Sequence, residues 1–267
     1  LGFGLGYLGT IPVLLLVLYF FILSDEVLFD LNKQEFENIR FTALIVALWF
    51  LLFAIPMLFF FKDKTSKDIQ TNNLNFKSLI QIIWQNKLTE AGKFLIARML
   101  YMDGLIIVST SVGIFGTSVM GLSISQILMV AIIANISGAI GCYLFGARAR
   151  NDKNTIITTL LILSFIVILI SINKNPNAYF VLVVAGTFFA GPLQSSSRVV
   201  MANLIPNETQ GLGFGLFTFS GKATAFIGPV CAAALTFLIS QRAGFAFSIV
   251  LLILGAFLML KVSYEKN

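Results

Sequence analysis

Runs of about twenty predominantly apolar residues, set apart by short polar clusters, recur along the whole of this 267-residue sequence. A bilayer hydrocarbon layer about 30 Å thick is crossed by roughly 20 residues at about 1.5 Å rise each. Inside that layer the backbone finds no water, so a spanning segment must satisfy its own N–H and C=O groups and folds as a helix. Composition agrees: apolar residues make up 58% of the chain, charged residues 11%, and phenylalanine occurs 27 times. A soluble domain of this length has no use for so much apolar surface. The expected fold is therefore an all-α membrane protein. Its eight spans are read at Gly2–Ser24, Phe41–Phe61, Phe94–Ser118, Ser123–Ala147, Thr155–Ile172, Ala178–Leu204, Gly211–Ser240 and Gly244–Val262.

Lysine and arginine in the connecting segments test this map, because cytoplasmic loops hold the excess. Twelve fall on one side and four on the other, while Arg98 and Lys222 lie within spans. The asymmetry places both ends of the chain in the cytoplasm, as an even number of spans requires. The acidic loop Asp25–Arg40 then lies outside and the long basic segment Lys62–Lys93 inside. Within the latter, Phe76, Leu79, Ile80, Ile83 and Trp84 recur at helical spacing, flanked by Lys77 and Lys87, the pattern of an amphipathic helix in the membrane interface or packed on the protein. Two spans before a basic linker and six after it match a two-halved bundle whose first half lacks four helices. The expected division is residues 1–61, the last two helices of the first half; 62–93, the linker; and 94–267, the second half. The chain opens at Leu1 directly into a span with no charged leader, and reads as an interior segment of a longer protein.

Charged side chains within spans carry the functional expectation, since each costs about 2.5–3.5 kcal/mol at mid-membrane unless paired or hydrated. Arg98 lies five residues past Lys93, about 8 Å deep, close enough to snorkel to the interface. Asp103 lies about 15 Å deep, where a carboxylate cannot snorkel, and its five-residue offset from Arg98 turns it off the i+3/i+4 face. Lys222 lies about 16 Å into another span. Matched depth suggests that Asp103 and Lys222 form an intramembrane pair or face one polar pathway, with Asp103 a proton or substrate-ammonium site. A pair that only fixes helix packing is the structural alternative. Gln194 and Ser195 follow Pro192, where kinking and wetting are expected, and are solute-binding or helix-gluing residues.

Other chemistries find no footing. Histidine is absent, and with it every Ser-His or Cys-His dyad and the commonest metal ligand. Cys142 and Cys231 sit singly inside apolar runs and read as packing residues. The string from Gly211 to Gly215 lacks the preceding strand and Lys-Ser/Thr ending of a nucleotide loop. No enzyme, catalytic residue, metal or cofactor is expected, and no nucleic-acid partner, because the net charge of +6 follows membrane topology. The expected partners are the bilayer and a small-molecule substrate.

The loop containing Gly146, Arg148, Arg150 and Asp152 resembles the basic loop between helices eight and nine of the major facilitator superfamily, a cytoplasmic gating element there. Three longer stretches narrow the resemblance: Gly4 to Gly9 with Tyr7 between; Arg98, Tyr101, Asp103 and Gly104; and Gln194 to Arg198, running on through Pro206, Gly215, Gly221-Lys222 and Gly228-Pro229. Together they resemble the unknown major facilitator branch that includes the autophagy-related vacuolar amino-acid exporters. Two positions depart from that pattern: Met102 stands where an Asn is usual, and Thr10 where a second Gly is usual.

The resemblance implies that the eight spans are helices five to twelve of a twelve-helix fold, the earlier helices of the same chain being missing partners. It implies secondary transport of a small solute by alternating access, with amino-acid or related metabolite efflux as the clue to substrate and protons as a coupling ion. Arg98, Tyr101, Asp103, Gln194, Ser195 and Lys222 would line the pathway. A receptor or scaffold on the same fold, which does not transport, is the rival expectation. The membrane would be a bacterial inner membrane, or the vacuolar membrane if the source is fungal.

Overall fold

The computed structural model describes residues 2–24, 29, 31–60, 76–148, 151–206 and 209–264, the side chains of 76–78 and 146–148 excepted. Most of the acidic and basic loop charges at 25–28 and 61–75, and Arg150, lie outside the described residues. Helix α1 (Gly2–Val17) continues into a π-helical turn (Leu18–Leu23), followed by α2 (Glu37–Phe60). Asn38 of α2 is buried and donates through Nδ2 to the Phe21 carbonyl at 2.8 Å, giving one acceptor of that widened turn a partner. Next come α3 (Phe76–Ile83) and a two-residue hairpin, β1 (Trp84–Gln85) with β2 (Lys87–Leu88), turning on Asn86 at φ 56°. Helices α4 (Glu90–Ser118), α5 (Ile124–Arg148), α6 (Asp152–Ile172), α7 (Pro176–Leu204), α8 (Gln210–Ala223), α9 (Ile227–Leu238) and α10 (Gln241–Leu260) complete the chain.

Eight segments among the described residues are long and apolar enough to cross a membrane, and they coincide with the eight expected spans. Their starts follow local chemistry. Thr89, Asn151, Asn175 and Ser240 are N-caps whose side chains accept from backbone N–H groups of the first turn, and Pro176 occupies the first turn of α7, where no N–H is needed. The surface is lipid-like: Phe60 is 85% and Phe237 90% exposed, which only a hydrocarbon surrounding tolerates on this scale.

The seventh span departs from the expectation of one continuous helix. It consists of α8 and α9, separated at Thr224–Phe226. Pro229 is the cause: it has no N–H for the Ala225 carbonyl, and its ring excludes that carbonyl from the i−4 position. The chain turns there on three-residue bonds, Ala225 N–H to Lys222 O at 3.2 Å and Ile227 N–H to Thr224 O at 2.8 Å. Pro192 acts differently. Helix α7 runs through it unbroken and Pro192 is buried. Its orphan acceptor, the Phe188 carbonyl, faces Gly141 of α5, where a side chain of any kind would collide with it.

Helices α4, α6, α7 and α10 enclose the main core, with Phe94, Ile156, Leu160, Leu193, Met201 and Leu252 fully buried. Lipid offers the same apolar environment, so close packing rather than a solvent-driven hydrophobic effect holds these helices. The α4–α10 contact shows how: a Cβ at Gly104 would stand 3.1 Å from Leu252 Cγ, and one at Gly255 would stand 2.7 Å from Tyr101 Cβ.

Candidate functional site

The break in the seventh span lies against α4, and the two buried charges of α4 meet its two ends. Arg98 is only 5% exposed. Its Nη1 donates to the Phe217 carbonyl at 2.7 Å and to Ser220 Oγ at 3.0 Å, and the guanidinium lies 3.6 Å over the Phe217 ring. The expected snorkelling to the interface is therefore corrected. The last turns of α8 offer carbonyls at the negative end of a helix dipole and an aromatic face, so the cation is accommodated within the bundle. Among the described residues no carboxylate lies within ion-pair distance of it, and the ion pair found is Lys93 with Glu90 at 2.7 Å.

Asp103, also 5% exposed, meets the other half. Thr224, in the break, donates through Oγ1 to Asp103 Oδ1 at 3.2 Å. A Cβ at Gly228 would stand 3.0 Å from the Asp103 carbonyl oxygen and 3.2 Å from its Cβ, so only glycine lets the first turn of α9 approach this closely. That turn is the positive end of the α9 dipole, although its Ile227 and Val230 N–H groups bond the Thr224 and Phe226 carbonyls and Pro229 has none. The broken helix thus sets its negative end at the cation and its positive end near the anion. The two charges are stabilised without pairing with each other.

Lys222 does not form the ion pair that its depth allows. It is exposed in the last turn of α8, and Asp103 and Lys222 make no ion pair within 4.0 Å. The turn beginning at Thr224 places threonine, not lysine, at the carboxylate. Thr224 is the residue that sequence reasoning missed; its signal is the position five residues before Pro229, inside the segment that proline forces out of the helix.

The remaining pathway residues do not converge on Asp103. Tyr101 is 1% exposed and donates to Ser197 Oγ at 2.9 Å, while Ser197 donates to the Leu193 carbonyl at 2.6 Å, a sealed core network. Gln194 Nε2 lies 3.4 Å from Met102 Sδ, and Ser195 donates to the Gly191 carbonyl at 3.1 Å. Both are half-buried on α7. Of the gating loop, Gly146 and Arg148 end α5, Asp152 is buried at the start of α6, and Arg150 lies outside the described residues.

Comparison with known proteins decides the family. A family model described as vacuole effluxer Atg22 like matches residues 1–267. The chain belongs to this Atg22-like family. It is 23% identical over its whole length to autophagy-related protein 22-1 of Aspergillus fumigatus, covering 48% of that protein. It is likewise 25% identical over its whole length to the uncharacterized MFS-type transporter YxiO of Bacillus subtilis, covering 63% of it. Autophagy-related protein 22 of Yarrowia lipolytica is 26% identical over 86% of the chain, 44% of that protein. The chain spans about half the length of most of these curated relatives. The family description and the YxiO name are those of an effluxer and a transporter, not of an enzyme, and the Atg22-like chain is an integral, multi-pass helical membrane protein of the major facilitator kind.

Proposed function

We propose that this chain supplies the second half and part of the first half of a secondary transporter that moves a small solute by alternating access. In this reading the spans are helices five to twelve, residues 62–93 link the halves, and both ends face the cytoplasm. Amino-acid or related metabolite efflux is the finer reading, taken from the vacuole effluxer description of the family. The membrane is vacuolar in a fungal source and the inner membrane in a bacterial one, since both kinds of organism supply relatives.

The observation that carries the proposal is the discontinuous seventh span with Asp103 at its break. Half-helices with free ends near the membrane midplane bind ions and solutes in secondary transporters, because their orphan N–H and C=O groups are available there. A carboxylate held by one threonine hydroxyl can exchange that bond for a proton or a solute ammonium group. Arg98 holds α8 against α4 beside it, so α8 and Asp103 respond together. A receptor or scaffold needs no such exchange.

Flux through the full-length protein in proteoliposomes tests this. Asp103→Asn keeps the shape of the side chain and removes its charge. The expected result is loss of at least about tenfold in flux, equivalent to roughly 1.4 kcal/mol. Wild-type flux in Asp103→Asn overturns the assignment of Asp103, and no flux of any offered solute in the wild type favours the receptor reading.

A further inference from the structure

On the face of α4 opposite Asp103 the structure holds a cavity of about 340 Å³, walled by α4, α5, α6 and α7 with Tyr7 of α1 on its lining. The wall residues of α4 are Leu105, Val108, Ser109, Val112 and Gly113. They follow Asp103 by two, five, six, nine and ten positions, which at about 100° per residue centres them roughly half a turn away from it. The cavity is therefore separate from the break in the seventh span. It extends toward the end of α4 where α5 begins, past Ile127, Ile170 and Tyr179.

The wall has little hydrogen-bonding capacity to offer. Ser109 donates to the Ile106 carbonyl at 3.1 Å, Asn135 to Ala131 at 2.7 Å and Thr187 to Val183 at 3.0 Å, each within its own helix. Tyr179 donates to the Val112 carbonyl. Ala134, Leu163, Ile166, Val167 and Ile170 are buried aliphatic residues. Water needs two to four polar partners to settle in a cavity, and an engineered apolar cavity of about 150 Å³ stays dry and binds benzene. This one is more than twice that size. Among the described residues the Tyr7 hydroxyl makes no hydrogen bond, so its O–H is free to donate at the wall, while the Asn135 carboxamide keeps an acceptor oxygen and a second N–H.

We infer that this cavity is a binding chamber for an uncharged, largely apolar group of aryl or branched-alkyl type, with Tyr7 as a hydrogen-bond donor at its edge. The chamber serves a solute's hydrophobic portion or a hydrocarbon chain from the bilayer. It does not rest on the transport reading, since a receptor uses such a chamber equally well, and occupancy is measured without flux.

The test is photolabelling of the full-length protein in lipid nanodiscs with a small phenyl diazirine, mapped by peptide mass spectrometry. Label, read residue by residue, is expected on the chamber-facing segments of α4 and α5 (Leu105, Val108 and Val112; Val130 and Ala134) in addition to lipid-facing positions such as Met129 and Ile133. Ala134→Phe, and independently Gly186→Val from the opposite wall, fill the space. Each is expected to remove the label from those segments, while the lipid-exposed Ile172 region stays labelled as an internal control for folding. A second arm replaces the probe with a phospholipid carrying a diazirine in its acyl chain. Label in the chamber from both probes identifies the bilayer as the source, and label from the free probe alone identifies a solute. Segments that stay unlabelled in the wild type, or whose label survives filling in every folded variant, overturn the inference.

Discussion

Helices α6 and α10 form a wall in which each helix closes the other's end, whereas α8 and α9 form a span whose break lies against two charges of a third helix. In the wall, Lys153 at the start of α6 donates to the Leu260 and Val262 carbonyls at 3.2 and 2.6 Å, at the finish of α10. Arg242 at the start of α10 donates to Ser171 and Asn173 at 2.7 and 2.6 Å, at the finish of α6. Both helices are continuous, and basic groups meet carbonyl ends at both faces of the membrane. In the seventh span the contacts fall in mid-bundle, Arg98 with the Phe217 carbonyl and Asp103 with the Thr224 hydroxyl. The difference separates a frame from the element that the transport reading makes responsive. The frame's closures join cations to backbone carbonyls, whereas Asp103 is held by a single side-chain hydrogen bond from Thr224.

The sharpest way to break the comparison is to damage the frame. A Cβ at Gly255 would already stand 2.7 Å from Tyr101 Cβ and 3.1 Å from Tyr101 N, so the obstruction includes backbone and cannot rotate away. Gly255→Leu is expected to cost about 3 kcal/mol or more. The full-length protein should then lose its monodisperse gel-filtration peak and unfold at a clearly lower temperature. Retention of both would show that the α4–α10 contact has slack that the packing does not suggest.

Repairing the break gives the opposite outcome. Pro229→Ala restores an N–H for the Ala225 carbonyl, and an interior proline costs a helix about 3 kcal/mol. Part of that is already relieved by the turn at Thr224–Phe226, so a gain of about 1 kcal/mol in stability is expected. Flux should fall nonetheless, because a continuous helix draws Thr224 and the first turn of α9 away from Asp103. A variant equally stable and equally active would mean that the break is incidental.

The same contrast explains what the sequence discloses. The spans are legible because the bilayer imposes one length and one polarity on every crossing segment, as Asp152–Ile172 and Gln241–Leu260 show. The depth of Asp103 is legible for the same reason, by counting residues from Lys93. Its partner is not. Gly228-Pro229 is visible, yet the surrounding run from Ile227 to Leu238 is apolar enough to look continuous, and only a broken helix puts Thr224 where Lys222 was expected. The partner of Arg98 escapes sequence reading, since its main acceptor is the backbone carbonyl of Phe217, 119 residues away, and a carbonyl has no residue type. The wall's reciprocal closures are equally hidden, because Lys153 and Arg242 look like ordinary loop charges.

The smallest expected effect bears on the residue that depth alone singles out. Lys222 is exposed, lies in the last turn of α8 and makes no ion pair with Asp103 among the described residues. Its favourable interaction with the carbonyl end of α8 is worth a few tenths of a kcal/mol, about 0.3–1 at a helix terminus. Lys222→Gln should therefore change stability by no more than about 0.5 kcal/mol and leave flux within about twofold of wild type. Lys222→Glu is the stricter variant, since it sets a negative charge at the negative end of the helix and should lower the unfolding temperature slightly more. If Lys222→Gln instead abolished flux as completely as Asp103→Asn, the two charges would have to meet in another conformation of the transport cycle, and the division between frame and responsive element would extend to α8 as a whole.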